Sequence, residues 1–201
     1  MNTSIAPAGK GKSAADRIRE TARKLFYREG IRAVGVDAIV QEAGVTKPSL
    51  YRAFSSKDEL AATYLRDYEA EFWKRFETGL AAHPDDPRAQ LMVFLDIVAQ
   101  RIAQAPEYRG CGLSNAVVEY PDSQHPARRV AVAHKRVLHQ RLQEMARGMG
   151  ARDPQALGDA LMLLLEGAFV SAQLFPDKDG PARSLAAAAR QMIDASLANP
   201  P

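Results

Sequence analysis

The chain has 201 residues, of which 46% are hydrophobic and 25% charged, and a formal net charge of +3 at pH 7. That length and balance suit one globular domain, or a small domain joined to a larger one, and exclude a disordered or low-complexity chain. One Cys, Cys111, excludes an intrachain disulfide framework and points to a reducing compartment.

Residues 1–12 are small and polar, with Lys10 and Lys12 near their end, and read as a flexible basic arm. They lack the apolar core of a signal peptide. Ser13 or Asp16 can cap a first helix whose Ile18, Ala22, Leu25 and Phe26 form one apolar stripe, ended by Gly30. Val36, Ile39, Val40 and Ala43 give a second, short helix stopped by Gly44. Thr46 can cap a third, with Pro48 tolerated in its first turn and with Leu50 and Phe54 turned inward. Ser55 or Ser56 opens a fourth, running from about Lys57 to Ala81, with Asp58 and Glu59 complementing its N-terminal dipole.

Helical patterns continue at about 87–104, 112–119, 126–148, 153–174 and 181–198, bounded by Pro106, Pro121, Pro126, "GMGARDP" and "PDKDGP". No alternating strand pattern and no fixed-period repeat occurs. The fold class expected is all-α, about nine helices, with an N-terminal head at 13–58 and a larger body at 59–201. Charge interrupts the longest apolar runs, such as "ALMLLLEGAFV", so no membrane contact is expected and the chain is placed in the cytoplasm.

Two short helices joined by "AGVT" form a helix-turn-helix pattern. Gly44 allows the left-handed turn. The outer face of the third helix then shows Thr46, Lys47, Pro48, Ser49, Tyr51 and Arg52. Lys47 and Arg52 can meet phosphates or guanine edges, Ser49 and Tyr51 can donate to phosphates, and the Pro48 ring can touch a thymine methyl. Lys57 adds charge at the next helix N-terminus. The first 60 residues hold 11 Lys and Arg against 7 Asp and Glu, whereas the rest hold 16 against 17, so the basic excess lies with this motif. A solvated charged face would produce the same asymmetry without DNA.

The stretch from Ala14 to Leu65 resembles the N-terminal domain of the TetR family of bacterial transcriptional regulators. The residues that carry the likeness are Leu25-Phe26, Gly30, Ile39 to Ala43-Gly44-Val45, Leu50-Tyr51 to Phe54, and Lys57 to Leu60. The resemblance implies a three-helix DNA-binding head, a helical ligand-binding body, and a homodimer reading a palindromic operator. It also implies a small-molecule effector that lowers operator affinity. One departure is that Gly35 stands where many members cap the second helix with Thr or Ser, so a side-chain phosphate contact is missing there.

The body is less specific, although its Gly-Cys, Asn, Glu and His-Pro spacing resembles one subgroup of that family. Trp73, Phe72, Phe76, Phe94, Met162 and Phe169 are candidates to line a cavity for an apolar or aromatic effector, against a plain core role. Glu166, on an apolar helix face, and Asn115 are further ligand-binding candidates. Cys111 reads either as a small buried side chain or as a thiol sensor for electrophiles or oxidants, with Arg109 as the nearby positive charge. His134 and His139 do not share a helix face, and His83 and His125 precede prolines, so no metal is expected. No phosphate-binding loop or catalytic triad order is present, so neither an enzyme nor a cofactor is expected. The last two helices carry apolar residues around more than one face, with Gly158, Gly167, Ala168 and Ala172 allowing close approach, and are expected to form the dimer interface.

Overall fold

The computed structural model describes residues 12–104, 107–175 and 180–197. The arm up to residue 11, the Pro106 boundary and most of the "PDKDGP" connection therefore lie outside the described residues.

Ser13 accepts from Asp16 N while Asp16 reaches back to Ser13 N, a capping box that starts α1 (Ala14–Glu29). The helix buries Ile18, Ala22, Leu25 and Phe26 and stops at Gly30, whose φ is +93°. α2 (Val36–Ala43) follows, with Gly35 at its N-cap and no side-chain cap. Gly44 at φ +61° turns the chain into α3 (Lys47–Ala53), and its N–H returns to the carbonyls of Gln41 and Val40. Ser56 then accepts from Glu59 N and opens α4 (Lys57–Ala81), whose first turns pack on α1.

The body consists of α4 with α5 (Pro87–Gln104), α6 (Gly112–Glu119), α7 (Pro126–Gly148), α8 (Pro154–Leu174) and α9 (Leu185–Leu197), a 3-10 turn at Pro181–Ser184 preceding the last. Prolines stand in the first turns of α7 and α8, where no helical N–H is lost, with His125 and Asp153 as caps. α7 lies between α4 and α8, and α9 closes the far side against α5 and α8. The described residues thus hold nine α-helices and no strand, as the sequence pattern predicts.

Three details depart from the sequence reading. α8 is 21 residues long and, although Asp159 and Glu166 interrupt its apolar run as expected, it is still apolar enough by length and composition to cross a membrane. Its two carboxylates are accommodated by packing: Asp159 meets His139, and Glu166 meets Lys135. Second, Gly158 faces inward, since a Cβ there would lie 2.4 Å from Gln143 of α7, and Ala168 and Ala172 are buried as well. Only Gly167, with nothing within 4 Å, is open to an approaching partner. Third, Leu185, Ala189 and Ile193 of α9 are spent on the protein's own core. Apart from Tyr51 of α3, the exposed large apolar side chains among the described residues lie on α6, α7 and α8 and at Phe175 just beyond.

Candidate functional site

Leu50 is the one buried residue of α3, and it anchors the helix to α1 and α2. Phe54, at the C-cap, is half-buried. With those two inward, helical geometry turns Lys47, Pro48, Tyr51 and Arg52 outward, and all four are exposed. Tyr51 is 52% exposed, a high value for a large aromatic side chain. Arg52 has no ion-pair partner among the described residues. Thr46 and Ser49 instead engage each other, with their hydroxyls 3.0 Å apart and Ser49 N donating to Thr46 Oγ1. Their first task is therefore the cap.

Two expected cations are less free than the sequence suggests. Lys47 Nζ lies 2.7 Å from Asp37 Oδ1 of α2, and that carboxylate raises the lysine pKa. Lys57 is half-buried, its ammonium 3.4 Å from the Arg32 carbonyl, and burial lowers its pKa. Lys57 thus sits at the junction of head and body. Among the described residues, Tyr51 and Arg52 are the outer-face donors without a hydrogen-bond or ion-pair partner.

That junction is polar and specific. The Tyr27 hydroxyl of α1 donates to the Gly110 carbonyl and accepts from Arg109 N, each at 3.1 Å. Arg32 N donates to Glu119 Oε2 at 2.8 Å, and His125, stacked on Tyr120, lies 3.4 Å from Asp58. α6 therefore meets the head at both of its ends.

In the body, Phe94, Cys111 and Phe169 line one cavity together with Phe72 of the aromatic set. Its wall also includes Tyr68 and Arg75 of α4, Ile97, Val98 and Arg101 of α5, and Tyr108. The cavity measures 20 Å³, about the room one water needs. The other candidates point elsewhere. Phe76 is fully buried in an edge-to-face contact with Phe94, and Trp73 packs 5.1 Å from the ring of His134. Asn115 donates to the Arg109 carbonyl at 2.7 Å, holding the turn before α6. Met162 lines an open groove between α6, α7 and α8. Glu166 is paired with Lys135 at 2.6 Å and accepts from Ser114 at 2.7 Å, so its carboxylate serves the packing of α8 on α7.

Cys111 is buried, and the cation against its sulfur is Lys135, at 3.4 Å, whereas Arg109 is exposed. The flanking glycines have separate causes. Gly110 has φ +74° and a Cβ there would strike Gln173, while a Cβ on Gly112 would lie 2.6 Å from the Tyr64 hydroxyl. The sequence reading missed Arg75, Arg101, Tyr68 and Tyr108. A lone Arg within the apolar run of α5 is the signal that could have found Arg101.

A short capped helix offering aromatic and basic side chains from a tight glycine turn defines a helix-turn-helix DNA-binding protein. The model for the tetR family of bacterial regulatory proteins matches residues 18–64. A TetR-family transcriptional regulator from Streptomyces coelicolor, SCO4454, superposes with a TM-score of 0.87 at 31% identity, covering 92% of this chain and 96% of that one. The transcriptional repressor ComR of Escherichia coli is 27% identical over 79% of each chain. An HTH-type transcriptional regulator of Lactococcus lactis is 25% identical over 54% of this chain, which spans about half that relative's length. The chain belongs to the TetR family of transcriptional regulators.

Proposed function

We propose that the chain is a dimeric, ligand-responsive regulator, in the first instance a repressor, that binds a palindromic operator through α3. In this reading residues 13–58 form the reading head and residues 59–201 the ligand-binding and dimerisation body. The observation that carries it is the division of α3 into one buried residue, Leu50, and an outer face of Lys47, Pro48, Tyr51 and Arg52. Tyr51 and Arg52 provide base and phosphate contacts, and Lys47 joins them once a phosphate replaces Asp37. Thr46 and Ser49 set the helix start against the backbone, and Lys57 supports it from the junction.

Dimerisation is assigned to α8, with α7 and α6 beside it, rather than to the last two helices. Leu163, Gly167, Val170 and Leu174 recur at spacings of four, three and four residues, and all are exposed, Leu163 at 74%. A second copy can bury that stripe, with Gly167 allowing the close approach. Two recognition helices would then span half-sites about 34–36 Å apart, or a multiple of that distance.

The experiment is a footprint of the purified protein on the DNA upstream of its own gene, followed by titration of Tyr51→Ala. A symmetric footprint is expected, with affinity lowered about 10- to 100-fold in the variant and the dimer retained in sedimentation. Equal affinity for random duplex would replace this reading with a non-specific architectural binder.

The effector reaches the cavity between α4 and α5 in this reading, and α4 carries the change to the head. A second reading makes Cys111 the trigger for electrophiles, favoured by its place on the cavity wall and by Lys135 at its sulfur. If Cys111→Ser releases DNA as the unaltered protein does, that reading is lost.

A further inference from the structure

The cavity wall carries two guanidinium groups, Arg75 and Arg101, and no carboxylate. For a space otherwise built from Phe72, Phe94, Ile97, Val98 and Phe169, that is an unusual charge balance. Both arginines are half-buried, and a partly desolvated cation favours counter-charges or hydrogen-bond acceptors.

Neither arginine has a full complement. The carboxylate nearest Arg75 is Glu71, 3.8 Å away and beyond hydrogen-bond reach. Glu71 already belongs to Arg23 of α1, which meets both of its oxygens, at 2.5 and 2.7 Å. Arg101 has neutral company among the described residues: its guanidinium lies 5.4 Å from the Tyr68 ring centre and donates to the Tyr68 hydroxyl at 3.4 Å, and although burial lowers its pKa, Tyr68, Tyr27 and Tyr108 raise it overall. Burial lowers the pKa of Arg75, and the neighbouring Arg101 lowers it further. The two cations therefore face each other's field, and the one carboxylate near Arg75, Glu71, is engaged by Arg23.

We propose that this cavity takes a small organic acid, its carboxylate held by Arg75 and Arg101 and its apolar body by the Phe72, Phe94 and Phe169 rings. The inference rests on the effector-responsive reading above and sharpens its ligand from apolar to acidic. A guanidinium matches a carboxylate with two parallel N–H donors, and a second guanidinium supplies the remaining acceptor sites with partners. The Tyr68 and Tyr108 hydroxyls line the same wall and can donate to the same group.

The size of the cavity links binding to regulation. At 20 Å³ it admits a carboxylic acid only by widening. Tyr68, Phe72 and Arg75 are successive inward positions of α4, so widening displaces that helix. The head packs on the first turns of the same helix, with Asp67 and Glu71 already tied to Arg19 and Arg23 of α1. An acid that draws Arg75 inward thus acts on the element that carries the head.

The test uses the full chain and calorimetric titration with benzoate, phenylacetate and hexanoate, each beside its uncharged primary amide. Binding of at least one acid, with its amide weaker by about tenfold or more, is the expected result. Arg75→Met and Arg101→Met should each weaken that acid by a similar factor and leave amide binding as it was. The acid–amide contrast in the unaltered protein needs no variant, so a folding defect in either one leaves the inference testable. Amides that bind as well as acids, acids that ignore both substitutions, or no binding by any of the three acids at millimolar concentration would each overturn it. Operator release is measured separately. An acid that binds without releasing DNA keeps this site and removes the effector reading; release by neutral compounds alone keeps the effector reading and removes this site.

Discussion

The outer face of α3 and the cavity under α4 are built on opposite plans. In the head, the functional residues are consecutive, Thr46 to Arg52, and one buried Leu50 decides which of them face outward. In the body, the cavity draws on α4, α5, the turn before α6, and α8, and its residues run from Tyr68 to Phe169. In the proposed reading the head presents its side chains to a rigid external partner, for which a stiff short helix suffices. In the same reading the body encloses a ligand, for which several helices with movable packing are suited.

The largest expected effect falls on the head. Leu50→Ala removes the one buried side chain of α3 and should cost about 2–5 kcal/mol of stability, seen as a lost or lowered first thermal transition. A protein that still binds its operator with unchanged affinity after this substitution would mean that α3 is held by something other than Leu50.

A smaller effect is expected in the body, at His134. It lies within the inward stripe of α7, between Phe72 and Trp73, with neither ring nitrogen hydrogen-bonded. Burial, helped by the charge of the adjacent Lys135, lowers the pKa from 6.5 to about 3, although Glu69 stands 3.4 Å from Nδ1. The unfolded chain therefore binds a proton that the folded one refuses between those values. The resulting stability is complete above pH 6.5 and is lost as pH falls toward 3, by about 1.4 kcal/mol per pH unit. His134→Leu should remove that slope and raise stability at neutral pH by about 1–2 kcal/mol. Urea unfolding at pH 7 and pH 5 reads both, and an unchanged difference between the two pH values would contradict the burial argument.

The smallest effect returns to the head. Asp37→Asn frees Lys47 from its exposed ion pair and should tighten DNA binding by no more than about fivefold. Fluorescence anisotropy at fixed salt is the measurement. Weaker binding would mean that Asp37 positions Lys47 for DNA rather than competing with it.

The same contrast explains what could be read from the sequence. Helix boundaries were legible because their signals are local: Ser13 and Asp16, Gly44, Thr46 with Pro48, Ser56, and the prolines that start α7 and α8. The outward face of α3 was legible for the same reason. The cavity was not. Phe72, Trp73 and Phe76 share a helix, but only Phe72 points into the cavity, because each residue turns the direction by 100° and the neighbouring helices decide which direction is inward. Glu166 looked like a pocket residue because its partner Lys135 is 31 positions away in the chain. The exposed apolar stripe of α8 was half legible. The apolar excess of α8 was visible, but the assignment of Gly158 outward failed because α7 occupies that side.

The short helix α6 has a mechanical consequence. Its N-cap, Cys111, is part of the cavity wall, and its last residue, Glu119, is fastened to the head through Arg32. The chain itself joins head to body through α4, so the two helices form a closed four-bar linkage about 12 Å across along α6. In such a linkage one bar cannot tilt alone: a displaced α4 either drags α6 with it or breaks the Glu119 fastening. The pose of the head is therefore tied to those of α4 and α6 together.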